Sequence, residues 1–288
     1  MPEKLLFDNQ TTQKSFCKKG PRSPLAWYGG KFYYAEWIVG HFCDHRVYIE
    51  PFGGAANILL NKICSEVEIF NDLDGRIINL FRVLRDKDQF NELTRLLSLT
   101  PYSRTEFAEL INSKEPQDAV KKAWRFFVLC RQSIGGLGMS KLTNSSWAMS
   151  VRTRRKMAEP VSKYLSAIEG LQEIAERFSS VVIENMEAKK LIKKYDCKDA
   201  LIYCDPPYLP ETRHGSSANT YAFEMSYADH EELLNILINC SGRVVISGYP
   251  SQLYNEKLST WKKVMIKGKA HIANSGQFRD EVLWMNWS

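Results

Sequence analysis

Six short runs of apolar and β-branched residues constrain the fold of this 288-residue chain more than any other feature. Most of these runs are continuous rather than alternating, which is typical of strands buried on both faces of a parallel sheet. Helical patterns lie between them, such as residues 229–240, which follow the capping pattern Ser226–Asp229. We therefore predict an α/β fold with a doubly wound sheet. The predicted strands are VYIE (47–50), VEIF (67–70), VVIE (181–184), ALIYC (200–204), RVVIS (243–247) and EVLWMNW (281–287).

The middle of the chain has a different pattern, with no convincing strand between about Gly75 and Phe178. Helical periodicity covers residues 88–99, 118–132 and 160–178 there, and a loop rich in Gly and Ser interrupts it. We expect a sheet domain that is split by a helical insert. The predicted units are a loosely held N-terminal arm (1–24), a catalytic sheet domain (25–74 and 179–288) and a helical recognition insert (75–178).

The positive charge of the chain is concentrated in the predicted insert. The net charge is +6, but residues 121–160 hold nine Lys and Arg against the single acid Glu159, a local charge of +8. A localised basic field is expected where a polyanion binds, although the same charges could lie on solvated helix faces. We expect DNA contacts from Lys121, Lys122, Arg125, Arg131, Lys141, Arg152, Arg154 and Arg155.

The composition argues against a metal centre and against a membrane protein. Seven scattered cysteines form no Cys-x-x-Cys pair, and the cluster from His41 to His45 is interpreted as a loop ahead of a strand. No apolar run approaches the ~20 residues that span a bilayer. The N-terminus lacks the apolar stretch of a signal peptide. We expect a cytoplasmic protein without metal.

The tetrapeptide Asp205-Pro206-Pro207-Tyr208 follows the predicted strand ALIYC, where ligands bind in open α/β sheets. An exocyclic amine on a purine is a poor nucleophile because its lone pair is delocalised into the ring. The Asp205 carboxylate and the Pro206 carbonyl can accept both amine hydrogens and free that lone pair. Pro207 restricts the backbone of Pro206, and Tyr208 offers a flat face for a base. The alternative is an ordinary strand-to-loop turn.

Two further features predict a nucleoside cofactor near this tetrapeptide. The turn Glu50–Ala56 contains paired glycines that let a ligand approach the backbone, and we expect the helix after it to offer its N-terminus. It is not a G-x-G-x-x-G fingerprint, so NAD is not favoured. Asp72 lies about twenty residues further on, at the spacing of a ribose ligand, and Asp74 is predicted to cap a helix.

Together these motifs resemble the Dam-like family of adenine-specific DNA methyltransferases, from Trp27 almost to the C-terminus. The segment Trp27–Lys31 resembles the family's W-x-G-G-K, and the tetrapeptide matches in full. The resemblance implies a Rossmann-like methyltransferase sheet, S-adenosylmethionine as cofactor, and catalysis by Asp205, Pro206, Pro207 and Tyr208. The cofactor-binding residues that it implies are Trp27, Lys31, Glu50, Phe52, Gly53, Asp72, Asn185 and Asp205. The target-reading residues of the insert have no close match, so the DNA sequence preference stays open.

The resemblance implies methyl transfer to the 6-amino group of an adenine that is flipped out of double-stranded DNA, by a chain expected to act as a monomer. No cysteine stands in the tetrapeptide, which argues against methylation of a cytosine ring carbon. Three alternatives stay open: adenine in RNA, a glutamine amide in a protein, and a catalytically silent nucleic-acid-binding module. Asp205 counts against the glutamine enzymes, whose motif usually begins with Asn, and the intact tetrapeptide counts against the silent module.

Overall fold

The computed structural model describes residues 20–139, 146–213, 221–267 and 280–288. Most of the predicted N-terminal arm, residues 1–19, lies outside the described residues, and so does Lys141. The described part of the chain folds into ten α-helices and nine strands. The observed α/β architecture confirms the predicted fold class.

A seven-stranded sheet forms the centre of the described part, in the order β5-β2-β1-β6-β7-β9-β8. The strands from β5 to β7 pair in parallel, whereas β9 pairs antiparallel with both β7 and β8. Strands β3 and β4 form a separate two-stranded hairpin. The strands are β1 (Val47–Glu50), β2 (Val67–Asn71), β3 (Thr153–Arg154), β4 (Met157–Ala158), β5 (Val181–Glu184), β6 (Ala200–Cys204), β7 (Arg243–Gly248), β8 (Lys262–Lys267) and β9 (Asp280–Met285).

All six predicted runs are strands of this sheet, and the inner ones are buried on both faces. Prediction missed β8, whose sequence KKVMIK carries three lysines. This strand lies at an edge of the sheet, where such charges are common because they oppose further strand pairing. An edge strand buries too little apolar surface to leave a continuous apolar run in the sequence.

Helices cover both faces of the sheet. Alternate strand residues divide between two apolar clusters, one of which packs against helices α1 to α7 and the other against α8 to α10. The helices are α1 (Ala35–Val39), α2 (Gly75–Arg85), α3 (Lys87–Leu99), α4 (Arg104–Asn112), α5 (Ala119–Gln132), α6 (Glu159–Glu169), α7 (Leu171–Phe178), α8 (Ala188–Tyr195), α9 (Tyr227–Ile238) and α10 (Gln252–Lys257). Single 3-10 turns occur at Phe32–Tyr34, Ile134–Met139 and Pro210–Thr212.

The helix boundaries follow local capping signals. Ser226 and Asp229 form the predicted capping box at the start of α9. Asp74 caps α2 as predicted, because its carboxylate accepts a hydrogen bond from the Arg76 N–H. The predicted helix over residues 160–178 is divided at Gly170 into α6 and α7. Glycine weakens a helix interior, which favours a break at this position.

The region between β2 and β5 is largely helical, as the periodicity predicts, but it also contains the β3–β4 hairpin. Its first and last helices pack against the sheet: Phe81 of α2 stacks on Phe178 of α7 with ring centroids 4.1 Å apart, and both rings contact Phe70 of β2. Stacked aromatic rings bury large apolar areas, so these contacts hold the whole region on one face of the sheet.

A buried ion cluster sits at the opposite end of β2 from its carboxyl edge. The Glu68 carboxylate pairs with Lys62 at 2.5 Å and with Arg177 at 2.5 Å. Burial raises the pKa of Glu68, but the two cations outweigh this and hold it below the ordinary glutamate value. The Glu68 carboxylate of β2 thus pairs with two cations, and one of them, Arg177, belongs to α7. The ion cluster therefore anchors α7 to the sheet.

Within the described ranges, no helix combines the length and the apolar character needed to cross a membrane.

The stability of the fold should depend on pH through His230 of α9, which is buried with Nδ1 2.9 Å from the Tyr254 hydroxyl. Burial lowers the pKa of His230 to about 4. The imidazole of His230 therefore binds a proton at about pH 6.5 in the unfolded chain, but only at about pH 4 in the folded chain. We expect the free energy of unfolding to fall as the pH drops from 6.5 towards 4, and to fall less steeply in His230→Gln. Urea titrations across this range measure the slope.

Tyr254→Phe serves as the control for this prediction, because it removes the hydrogen-bond partner and leaves the imidazole in place. It should lower stability while retaining a pH slope close to that of the parent chain. Equal slopes in the parent chain and His230→Gln would contradict the assignment.

Candidate active site

The candidate site lies where the order of the parallel strands reverses. The chain passes from β1 outward to β2 and β5, and then returns to β6 on the other side of β1. Crevices form at such switch points, outside the carboxyl ends of the strands. Glu50 ends β1 and Asp205 directly follows β6, so this topology brings two acids that are 155 positions apart to one edge.

A cavity of about 360 Å³ opens at this edge, a volume in the range of small-molecule sites. It is lined by most of the residues that the motifs predicted. These are Trp27, Lys31, Glu50, Phe52, Gly53, Asp72, Asp205, Pro206 and Pro207. Two predicted residues are not part of the lining: Asn185 and Tyr208.

The glycine turn is built for close approach of backbone to the cavity. A Cβ on Gly53 would lie 2.1 Å from a ring carbon of Phe70, and Gly54 adopts a positive φ of 49° beside the Trp27 indole. Only glycine fits both positions without displacing these rings. The expected helix after the turn is wrong, because residues 55–62 form successive turns. The backbone N–H groups of this turn therefore bond to neighbouring groups in the protein, and no helix begins there.

Asp72 holds the glycine turn from the neighbouring strand. Its carboxylate accepts one hydrogen bond from the Gly54 N–H at 2.8 Å and another from the Asp74 N–H at 2.8 Å. Burial raises the pKa of Asp72 to about 6 despite these donors. Asn185 is exposed, and its amide donates to the carbonyls of Asp72 and Leu73. It thus supports the Asp72 loop from outside the cavity.

Glu50 forms part of the cavity floor. Its Oε2 accepts hydrogen bonds from the Tyr48 hydroxyl at 2.8 Å and from the Leu59 N–H at 3.1 Å. Burial raises the pKa of Glu50 to about 8, and the nearby Asp205 carboxylate adds to this effect. Burial and the neighbouring carboxylate thus both favour the protonated form of the Glu50 carboxyl group.

Asp205 is fixed through one of its two oxygens. Its Oδ1 lies 3.0 Å from the Lys31 ammonium and accepts a hydrogen bond from the Ser247 hydroxyl at 2.8 Å. Ser247 is itself held by the Tyr203 hydroxyl at 3.1 Å. Among the described residues, no donor is hydrogen-bonded to Oδ2. One oxygen is thus committed to the protein, and the other is left as an acceptor for a ligand in the cavity.

Tyr208, the last residue of the tetrapeptide, is buried and does not line the cavity. Its hydroxyl donates a hydrogen bond to Glu281 of β9. The Lys31 ammonium lies 4.6 Å from the centre of its ring, and the Tyr249 ring meets it edge-on at 4.6 Å. The ring that we expected to stack on a base is therefore covered on one face by a lysine of the same site.

Sequence reasoning missed several residues of the site. Glu281 directly precedes the apolar run VLWM in the strand DEVLWM, and a charged residue next to such a run is a signal that could have identified it. Tyr28, Tyr221 and Phe223 also line the cavity, and the first two rings pack edge to face at 5.6 Å. These aromatic residues carried no motif signal, because aromatic side chains in loops are common.

Three of the eight predicted DNA-contacting residues form contacts within the protein. Arg131 donates to the backbone carbonyls of Ser23 and Pro24 at 2.7 and 2.6 Å. The Arg125 guanidinium donates to the Leu110 carbonyl and to Ser113. Arg155 pairs with Glu169 at 2.9 Å. Arg125 and Arg155 connect segments of the region between β2 and β5, whereas Arg131 connects α5 to the segment that precedes β1.

The exposed basic side chains lie on α5 and on the hairpin. Lys121 is exposed on α5 and Lys122 is partly buried there, whereas Arg152 and Arg154 are exposed at the hairpin. The hairpin turn is formed by Arg155 and Lys156, both with positive φ (54° and 60°). Two left-handed residues in succession are typical of the type I′ turn, whose twist matches that of paired strands.

No group of three or more His, Cys, Asp or Glu side chains capable of holding a metal occurs in the part of the chain that the structure describes. His45 instead contacts the Cys43 carbonyl and the Ser65 hydroxyl. The cluster from His41 to His45 is a loop ahead of β1, as predicted.

The mostly parallel sheet and the cavity at its switch point are consistent with a Rossmann-like methyltransferase. The profile of the D12 class N6 adenine-specific DNA methyltransferases matches residues 27–279. The chain belongs to this family.

Relatives of known name agree with this assignment. The chain is 25% identical over 270 residues to a DNA adenine methylase of Salmonella typhi, covering 92% of this chain and 94% of the relative. A DNA adenine methylase of Escherichia coli (strain K12) is 25% identical over 276 residues, with the same coverage of 92% and 94%. One of Serratia marcescens is 23% identical over 274 residues, covering 92% and 97%.

The enzyme therefore methylates the N6 amine of adenine in DNA, as the resemblance implied. The family assignment selects this activity among the alternatives that the sequence left open. Membership in a methyltransferase family also implies S-adenosylmethionine as the methyl donor.

The glycine turn gives a stability prediction. In Gly53→Ala the new methyl group would meet the Phe70 ring, so we expect a loss of about 1–3 kcal/mol in the free energy of unfolding. Gly75→Ala is the matched control, because a Cβ there meets only the Asn185 amide oxygen at an ordinary 3.5 Å. Chemical denaturation compares the two variants. Equal stability of the two would contradict the tight contact.

Proposed function

We propose that the cavity binds S-adenosylmethionine and an extruded adenine side by side, with the acceptor pair of Asp205 and Pro206 aligning the adenine amine. One observation carries this proposal: both residues line the same cavity as the glycine turn and Asp72. A nucleoside held at the turn and an amine held at the tetrapeptide would then face each other across a single space.

The residues on the glycine side suit a nucleoside cofactor. A Cβ atom on Gly53 would meet the Phe70 ring, and a Cβ atom on Gly54 would meet the Trp27 ring. The two glycines therefore present backbone without side chains to the cavity. Asp72 would accept hydrogen bonds from ribose hydroxyls, and Trp27 would supply an apolar wall. Asn185 would act indirectly by holding the Asp72 loop. When bound, S-adenosylmethionine supplies an electrophilic methyl group on a sulfonium.

On the tetrapeptide side, Asp205 Oδ2 and the Pro206 carbonyl would accept the two amine hydrogens. This draws the nitrogen towards tetrahedral geometry and frees its lone pair for attack. The nitrogen would gain a positive charge as it forms the new N–C bond and the bond from the methyl group to the sulfonium breaks, which leaves a neutral thioether. The nearby carboxylate would stabilise the charge on the nitrogen. The nitrogen then loses one proton, which Asp205 is placed to accept. Ser247 keeps Oδ1 fixed and so maintains the direction of Oδ2.

The substrate base would come from double-stranded DNA by flipping, since the amine is otherwise paired and stacked. Extrusion costs a few kcal/mol, which binding energy elsewhere must offset. We assign phosphate contacts to Lys121, Lys122, Arg152 and Arg154. Unlike Arg125, Arg131 and Arg155, these four have cationic groups without a hydrogen-bond or ion-pair partner among the described residues. The region between β2 and β5, with its hairpin, would act as the recognition unit.

The first test of the proposal is Asp205→Ala. We expect single-turnover methyl transfer to fall by about a hundredfold or more, because one of the two amine acceptors and its charge are lost. Binding of S-adenosylmethionine, measured by calorimetry, should change little. Genomic DNA that lacks the modification is the substrate, and mapping of the methylated adenines identifies the recognition sequence.

Asp72→Ala is the matched control, since it removes a carboxylate from the other side of the same cavity. It should weaken cofactor binding by about tenfold or more, the loss expected for hydrogen bonds to a charged group. Methyl transfer near the parental rate in Asp205→Ala would remove that residue from the mechanism.

The second test concerns the basic hairpin. Arg152→Ala combined with Arg154→Ala should weaken DNA binding and reduce the slope of log K against log salt by roughly 1.8, because each phosphate contact contributes about 0.9. Fluorescence anisotropy at several salt concentrations measures this slope on duplex DNA. Lys198→Ala is the control, since Lys198 is exposed at the opposite end of the sheet from the cavity. An unchanged slope in the double variant would exclude phosphate contact.

A further inference from the structure

A single buried ammonium group is shared by two carboxylates at the site. Lys31 Nζ lies 3.0 Å from Asp205 Oδ1 and 3.7 Å from Glu281 Oε1. The side chains of Lys31 and Glu281 are 7% and 5% exposed, so water does little to screen these charges. The Lys31 ammonium can therefore move from one acid to the other over about an ångström while remaining paired.

Lys31 stands where the substrate base is expected. Its ammonium donates to the Asp205 carboxylate, as the adenine amine would have to do, and it lies 4.6 Å above the Tyr208 ring, on a face where a base would stack. The same side chain thus satisfies, within the protein, two groups that the substrate is expected to contact. The amine would use Oδ2 of Asp205, whereas the ammonium uses Oδ1. A base that stacks on the Tyr208 ring must, however, displace the ammonium that covers this ring.

The position of Glu281 offers a destination for the displaced group. Its carboxylate accepts the Tyr208 hydroxyl and lies beside Lys31, but it is not part of the cavity wall. A buried ammonium that left Asp205 without another carboxylate would be unpaired, at a cost of several kcal/mol. With Glu281 present, the ammonium stays paired in both positions.

We propose that Glu281 is a positioning residue for methyl transfer, which takes over the Lys31 ammonium when an adenine base displaces it from the Tyr208 ring and from Asp205 Oδ1. The inference rests on the proposed function of Asp205 as an amine acceptor. Glu281 touches neither substrate nor cofactor and acts through Lys31, while its contact with the Tyr208 hydroxyl keeps that ring in place. Although burial alone would lower it, the two carboxylates raise the pKa of Lys31, so the group remains charged throughout.

The test is Glu281→Gln, which preserves the size of the side chain and removes its charge. The ammonium then stays over the Tyr208 ring and competes with the base inside the complex, so saturating DNA cannot restore the rate. We expect the single-turnover rate at saturating cofactor and DNA to fall at least about tenfold. The calorimetric affinity for S-adenosylmethionine should stay within about threefold of the parent value. Glu281→Asp, which retains the charge, should recover part of the rate.

Two comparisons separate the proposed role from a simple anchor for Tyr208. Tyr208→Phe removes only the hydroxyl, so it should reduce the rate less than Glu281→Gln does. In a Lys31→Met background no ammonium needs a second partner, and Glu281→Gln should add no further loss. A Glu281→Gln effect no larger than that of Tyr208→Phe, or one of full size in the Lys31→Met background, would overturn the proposal. The Tyr208→Phe comparison decides the question even when Lys31→Met transfers no methyl groups.

Glu68→Gln is the matched control, because Glu68 is equally buried and pairs with a lysine at a place remote from the cavity. It should lower thermal stability without changing the single-turnover rate. Asp205→Ala distinguishes the two proposals. Methyl transfer that survives in Asp205→Ala refutes the proposed function, whereas a parental rate in Glu281→Gln with an inactive Asp205→Ala refutes only the role of Glu281.

Discussion

The ion pair between Lys31 and Asp205 sets the geometry of the site. Removing two charges from water is costly, and their attraction offsets that cost only when further groups satisfy the remaining donors and acceptors. Here the Gly29 carbonyl, Ser247 and Glu281 supply those contacts. The pair therefore stabilises one arrangement of the tetrapeptide, in which a single carboxylate oxygen of Asp205 is left to meet a ligand.

This arrangement depends on the order of the strands. Lys31 precedes β1, Asp205 follows β6 and Glu281 lies on β9, and the sheet brings these separate parts of the chain to one edge. The antiparallel strand β9 has a specific role in this, because it pairs with β7 and so places Glu281 behind the Tyr208 ring. The position of the Glu281 carboxylate next to Tyr208 thus depends on the antiparallel pairing of β9 with β7.

Much of the fold could be predicted because its strands are continuous apolar runs and its helices have clear caps. Other features could not. The segment after Gly54 has no helix, although the glycine turn suggested one, because its N–H groups are used in successive turns and by Glu50 and Asp72. The basic region was predicted from charge alone, which cannot distinguish Arg131, bound to backbone carbonyls, from the exposed Arg152.

The sequence by itself predicted the class of chemistry, because an acid, two prolines and an aromatic residue after a buried strand can align an amine, and because these residues together with the glycine turn resemble a methyltransferase family. It also determined which of two neighbouring acids caps a helix, since capping depends on spacing of a few residues. Only the tertiary structure decided which oxygen of Asp205 is available, that the Tyr208 ring is covered by Lys31, and that Glu281 belongs to the site. These facts are distances between residues far apart in the chain, and local periodicity carries no information about them.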